Sequence, residues 1–464
     1  MKLGHKLLGV SVIAIAAGCA GTNSNGIGST SSFGGDTLGQ PQSQFQQQVV
    51  TTATQAMQTG NAPQITGGEN QLGFTLFQKL AKAEAGKNVC ISPVSIGSVL
   101  SILYNGSAGD TRKQIGQTLA FGKLSPDQVN DANKNLQSML ANLDPNKVDL
   151  NIANSLWVDS GTALSTDFVQ KDQQYYTAKV SSLDFKAPES PAAINDWVKT
   201  STHGKIPTIV DTIPSDARLY VVNAVYFNGT WQKPFDKNRT QPQTFSMADG
   251  TQEQTPMMTQ SGSFPYFISA DATGVVLPYG SGRLEMDVVL PTGQDVTVLE
   301  KKLTPAVYSS WMKSLKPTSI QVSIPTFKFE YSSNMNDTLK AAGLTNAFDP
   351  QKADFSGMLD KTAPSGTQKL YLSEVKHKTF IDVNERGTEA AAATSAQIST
   401  MASILPGVRF TADHPFLYVI RDSITGSILF TGVVMDPKQA TGDSGDKKPT
   451  QGANPAPLGK SAGN

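Results

Sequence analysis

Residues Asp382 to Thr400 read DVNERGTEAAAATSAQIST, and the fold turns on whether this run is helix or strand. Glu385, Arg386, Gly387, Thr388 and Glu389 form a polar hinge, and Ala390, Ala391, Ala392 and Ala393 follow with side chains too small to hold a fixed packing position. Intrinsic propensity favours an alanine-rich helix. Laid out as a strand, whose successive side chains face opposite ways, Thr388, Ala390, Ala392, Thr394, Ala396, Ile398 and Thr400 share a small-to-apolar face. Such a strand can enter a sheet, so the surrounding chain has to decide.

Directly upstream, Leu370 to Val383 is strand-like, as are Leu219 to Phe227, Leu284 to Leu290 and Ile320 to Phe329. Downstream, Phe416 to Arg421 and Ser427 to Val434 spell a hairpin around a turn containing Asp422 and Gly426. Helical spacing comes earlier. Leu72, Leu76, Phe77, Leu80 and Ala83 recur along one face and Gly86 ends the run. Pro93 opens a second helix with Ile96, Val99, Leu100 and Leu103 on one face and Ser92 at the cap position. Helices early and strands late predict an α+β fold rather than alternating α/β.

At 464 residues the chain has a length prior of two or three domains. Lys plus Arg (38) balances Asp plus Glu (38), so no global field draws nucleic acid or an anionic membrane. Residues 19–68, rich in Gly, Ser, Thr and Gln, predict a disordered tether, and 438–464 a disordered tail. The folded body is then 69–437. At the amino terminus, Lys2 and Lys6 precede the apolar run Leu7 to Ala17, which makes residues 1–18 a signal peptide. Ala16-Ala17-Gly18-Cys19 is similar to a bacterial lipobox, with Cys19 as the lipidated mature terminus; ordinary signal cleavage is the alternative. The expected location is the outer membrane or cell surface if Cys19 carries lipid, and otherwise secreted or periplasmic. With two cysteines there is no disulfide framework, and Cys90, between Val89 and Ile91, reads as a buried free thiol.

Enzyme signatures do not hold together. Gly442-Asp443-Ser444-Gly445 spells a serine-protease nucleophile motif but sits in the tail, and His5, His203, His377 and His414 lack a catalytic context. Gly106 to Thr111 lacks the Lys-Ser/Thr ending of a phosphate loop and reads as a helix exit and turn. No HExxH, paired CxxC or His/Asp cluster points to a metal, and no cofactor is expected.

Several segments, in order, resemble the serpin family of protease inhibitors. They are Asn88 to Ile96 with Leu103 to Thr111, Ala153 to Trp157, Asn195 to Val198 with Thr202 to Ile206, Leu219 to Trp231, Leu277 to Tyr279, Leu290-Pro291, Ile324 to Phe327, and His414 to Gly432. The resemblance spans the whole body. It implies one domain with three β-sheets, about eight or nine helices and an exposed reactive loop, which overrules the length prior. Leu370 to Ala393 then looks like the central-sheet strand followed by the loop's hinge.

What the resemblance implies is a suicide substrate of serine proteases. Cleavage of the loop lets the hinge insert as a new strand, dragging the acyl-enzyme along, and the intact sheet is a kinetically trapped state. Gly387 lets the backbone fold in, and Thr388 is the first side chain to be buried. Counting from the hinge places the scissile bond between Met401 and Ala402, with Thr400–Met401 as the rival. Methionine suits elastase-, chymotrypsin- or subtilisin-like pockets, and papain-like cysteine proteases stay open. Ser92, Ser95, Asn223 and His377 match positions beneath the sheet that control its opening, and Trp231 matches the loop-entry tryptophan. The expected partners are target proteases and a membrane reached through Cys19, with a monomeric chain; a non-inhibitory binding protein or protease substrate is the alternative.

Overall fold

The spacing of Leu72, Leu76, Phe77 and Leu80 forms helix α1 (Ala62–Ala83), which buries all four. The computed structural model describes residues 60–141, 143, 147–362, 369–388 and 407–439, which lie in one compact unit. α1 starts earlier than expected: residues 62–68, assigned to the tether from composition, are helical, with Ile65 fully buried. Pro63 sits at the helix start, where its missing N–H costs nothing. Likewise Lys438 and Gln439, placed in the tail, are held: Lys438 pairs with Glu253 at 2.7 Å and Gln439 accepts from the Asn88 N–H at 2.8 Å.

Helix α2 (Pro93–Gly106) is buried on every side except at Asn105, more than a one-faced amphipathic pattern predicts. The remaining α-helices among the described residues are α3 (Gly109–Thr118), α4 (Pro126–Ala141), α5 (Thr166–Tyr176), α6 (Ser190–Ser201), α7 (Thr297–Lys302), α8 (Pro305–Ser314) and α9 (Asn336–Ala341). Gly106 to Thr111 is the expected helix exit, with Gly109 at φ +51° starting α3.

Fifteen strands are described, in chain order β1 (Val89–Ile91), β2 (Val148–Asp159), β3 (Lys179–Leu183), β4 (Leu219–Thr230), β5 (Gln241–Ser246), β6 (Gln252–Ile268), β7 (Ala272–Pro278), β8 (Leu284–Pro291), β9 (Lys316–Pro325), β10 (Phe327–Asn334), β11 (Leu372–Asn384), β12 (Gly387–Thr388), β13 (Val408–Thr411), β14 (Phe416–Asp422) and β15 (Ile428–Val434). The run Ile320 to Phe329, expected as one strand, breaks at Thr326 into β9 and β10. Six strands form one sheet in the order β10-β11-β12-β4-β2-β3. The other nine follow the path β1-β15-β14-β8-β7-β6-β9-β13 with β5 on β6. Strand β6 pairs β5 up to Met257, β9 from Met257 to Tyr266, and β7 from Tyr266. Through it, two of the three expected sheets become continuous in hydrogen bonding.

The six-stranded sheet is covered on both faces, and β4 accordingly reads as a near-continuous apolar run. One face packs Ala153, Tyr220, Val222, Ala224, Tyr226 and Phe380 against Ile194 and Val198 of α6 and the segment after it. The other face packs Leu156, Val221 and Val225 into the main core with α2. This single α+β domain sets the boundary between β4 and β11 at the centre of the molecule.

Candidate functional site

Strands β4 and β11 run parallel and are paired from Leu219↔Leu372 to Tyr226↔Phe380. Above that row they part, and the chain turns at Glu385–Arg386 to send β12 down between them. Gly387 and Thr388 are antiparallel to both neighbours, opposite Asn384 and Val383 on one side and Thr230 and Gly229 on the other. Gly387 and Thr388 of the hinge thus already occupy the place of a sixth strand. This resolves the choice between helix and strand for Gly387 and Thr388; Glu389, Ala390, Ala391, Ala392 and Ala393 lie outside the described residues, as do Met401, Ala402 and Cys19.

The turn is fastened by its neighbours. Trp231 N–H donates to the Arg386 carbonyl at 2.8 Å and Phe235 N–H to the Glu385 carbonyl at 2.8 Å. Thr240 Oγ1 donates to Glu385 Oε1 at 2.7 Å, and the Arg386 N–H is taken by Asn384 Oδ1 at 3.0 Å. Gly387 has φ +152°, and a Cβ there would lie 1.9 Å from the Gly229 carbonyl oxygen, so backbone angle and space both demand glycine. Arg386 is exposed, as its place before the inserted pair requires.

Thr388 is fully buried, and its hydroxyl lies 2.7 Å from that of Tyr279. Burial holds the Tyr279 phenol above its ordinary pKa. Trp231 stacks on Tyr279 with ring centroids 4.2 Å apart, and its indole N–H donates to the Asn384 carbonyl at 2.9 Å. Trp231, matched from sequence to the loop-entry position, thus lies against the turn that leads into β12, and Tyr279, quoted only as part of a motif, is its stacking partner.

Lower down, the four polar residues named from sequence do meet. His377 faces Asn223 across the β4–β11 boundary. The Ser92 N–H donates to His377 Nε2 at 3.2 Å, which leaves the ring proton on Nδ1, directed at Asn223 Oδ1 2.5 Å away. Asn223 Nδ2 donates to Ser95 Oγ and, at 2.5 Å, to Asn154 Oδ1. Burial drives the His377 pKa down to about 3. With both nitrogens committed, the neutral ring is satisfied and is no general base poised on a nucleophile.

Two further polar residues near this boundary were not singled out from sequence. Asn154 on β2 is opposite Asn223 in register, and the available signal was a second asparagine at a central-strand position. Thr379 Oγ1 donates to the Cys90 carbonyl at 2.9 Å, tying β11 to β1. Ser92 has the backbone of a helix cap, yet its hydroxyl makes no cap bond and has no partner; its main-chain N–H serves instead. Cys90 is the expected buried free thiol, its pKa pushed up to about 11 by burial. On the outer face, Lys378 Nζ donates to the Thr208 carbonyl at 2.9 Å and pairs with Glu330 at 2.8 Å.

Residues 68–437 match the family model described as Serpin (serine protease inhibitor). A leukocyte elastase inhibitor of Xenopus tropicalis is 36% identical over 378 residues, covering 78% of this chain and 97% of the relative. An uncharacterized serpin-like protein of Methanosarcina acetivorans is 35% identical over 390 residues, covering 81% and 88%. Among solved structures, the native thermophilic serpin tengpin aligns with a TM-score of 0.72 at 31% identity, covering 80% of this chain and 94% of its own.

Proposed function

Because this chain belongs to the serpin family, we propose that it inhibits serine proteases irreversibly, by cleavage after Met401 and insertion of the hinge into the six-stranded sheet. The observation that carries this reading is the seating of Gly387 and Thr388 between β4 and β11, antiparallel to both. Ala390 to Ala393 follow in sequence with side chains small enough for a closed sheet to take in. The target class is elastase-, chymotrypsin- or subtilisin-like, from the apolar Met401. Incubation with these enzymes and a trypsin-like one, followed by denaturing electrophoresis, tests it. The expected result is a denaturant-resistant complex and a released fragment beginning at Ala402. Cleavage without any complex would establish a protease substrate instead.

We further propose that the protein is exported and lipid-anchored at Cys19, its tether giving the inhibitor reach from a membrane. Mass spectrometry of the mature amino terminus tests this: a diacylglyceryl group on Cys19 is expected, and an unmodified terminus elsewhere overturns it.

A further inference from the structure

Glu69 stands on α1 with 1% of its surface exposed, and neither carboxyl oxygen has a hydrogen-bond partner. Its side chain is pressed against α2: a Cβ on Gly97 would lie 2.3 Å from Glu69 Cγ and 2.6 Å from Oε1. Gly97 is therefore the notch that admits the carboxyl group, and it lies two residues beyond Ser95 on the same helix.

The titratable groups around this seam offer no counter-charge. From α5 come Asp172, whose Oδ1 accepts from Asn105, and Tyr176, whose hydroxyl donates to Asn130 Oδ1 on α4. From α2 comes Tyr104, and from α3 Arg112, which sits over the Tyr104 ring and reaches the Asn105 carbonyl. β15 contributes no ionisable side chain, and the lysines of α1, Lys79 and Lys82, lie near its far end. Among the described residues no cation pairs with Glu69.

An ionised carboxylate without a hydrogen-bond partner in the protein is far costlier to bury than the neutral acid. We propose that Glu69 is carried as the neutral carboxylic acid in the α1–α2 seam, and that its ionisation at rising pH loosens α2, the platform from which Ser92 and Ser95 hold the β4–β11 boundary shut. Burial raises the Glu69 pKa well above 4.5, in the same sense. The raised value means that the native protein keeps a proton which the unfolded chain gives up. The contribution to stability is thus complete below about pH 4.5 and is lost as pH rises toward the folded value.

The test compares wild-type with Glu69→Gln, which keeps the shape and removes the titration. Unfolding in urea from pH 5 to 8 should show the wild-type unfolding constant rising about tenfold per pH unit relative to the variant, until the folded pKa is reached. Glu69→Met should give the same slope, and it serves if the amide variant does not fold. A ratio that stays flat over this range overturns the proposal. Hydrogen exchange at the Ser92 amide should accelerate from pH 7 to 9 beyond its intrinsic pH dependence in wild-type and not in Glu69→Gln. A stability slope without that acceleration overturns the coupling to the sheet. Neither readout depends on protease inhibition.

Discussion

Thr388 is the smallest unit on which the proposed mechanism can be tested. Its slot beneath Trp231 and Tyr279 takes a hydroxyl and a methyl and leaves no exposed surface. An unpaired arginine buried there costs about 3–5 kcal/mol, which at about 1.4 kcal/mol per decade slows insertion by more than a hundredfold. Thr388→Arg should therefore turn inhibition into turnover, read as loss of the covalent complex with cleavage retained. His377 gives a second residue-scale outcome. An unfolded histidine takes up a proton near pH 6.5, and the folded one does so only at about 3. Between these values the unfolded chain binds more protons, so stability falls as pH drops, by up to about 1.4 kcal/mol per unit. As pH is lowered from 7 to 5, the urea midpoint of wild-type should fall relative to that of His377→Asn at the same pH, a difference from which the Glu69 contribution, common to both, cancels. Glu69 and His377 act in opposite senses between about pH 4.5 and 6.5, so only single-site variants separate them. These roles differ in how visible they are in the chain. His377, Asn223, Ser92 and Ser95 could be named through family likeness, whereas the partnership of Asn154 with Asn223 spans 69 positions and exists only once β2 and β4 are in register.

Among the elements, β12 has two residues and depends on one of them being glycine. Gly387→Ala sets a methyl against the Gly229 carbonyl and forces the backbone from φ +152°, a strain of about 1–3 kcal/mol. The hinge should leave its slot, and because the turn bonds to Trp231, the change should appear as a shift in tryptophan emission and faster hydrogen exchange at the Trp231 amide. The long apolar strands were legible: Leu219 to Phe227 predicted β4, and the last hairpin predicted β14 and β15. β6 was not, because QEQTPMMTQSGSFPYFI carries two prolines and little alternation. The pairing explains how it survives as a strand. Pro256 faces Pro242 and Pro265 faces Pro317, so residues that cannot donate are paired with each other rather than with residues that would need their N–H. The split of Ile320 to Phe329 was equally hidden, since Thr326 donates its N–H to Pro256, a partner 70 positions away.

For the molecule as a whole, a single α+β body was readable from helices placed early and strands late, while the join between sheets through β6 came only with its pairings. A sheet that can accept one more strand is less stable than the same sheet filled. Nicking the loop between Met401 and Ala402 should therefore raise the unfolding temperature, and a scan of intact against nicked protein checks this. An unchanged or lowered temperature would mean that the strand does not enter. The polarity of the central pair gives that change a direction. β4 and β11 meet in the parallel sense, the weaker kind of ladder, while β12 is antiparallel to each. Advancing the wedge by one row exchanges one parallel contact for two antiparallel ones, like a zip whose slider meets less resistance forwards than back. Below the wedge the rows of Phe380, Thr379 and Lys378 come first, and the fourth is His377 with Asn223. On the proposed mechanism the slider would meet a polar clasp near the start of its travel, and how firmly that clasp closes would set whether the protein waits for a protease or fills its own sheet.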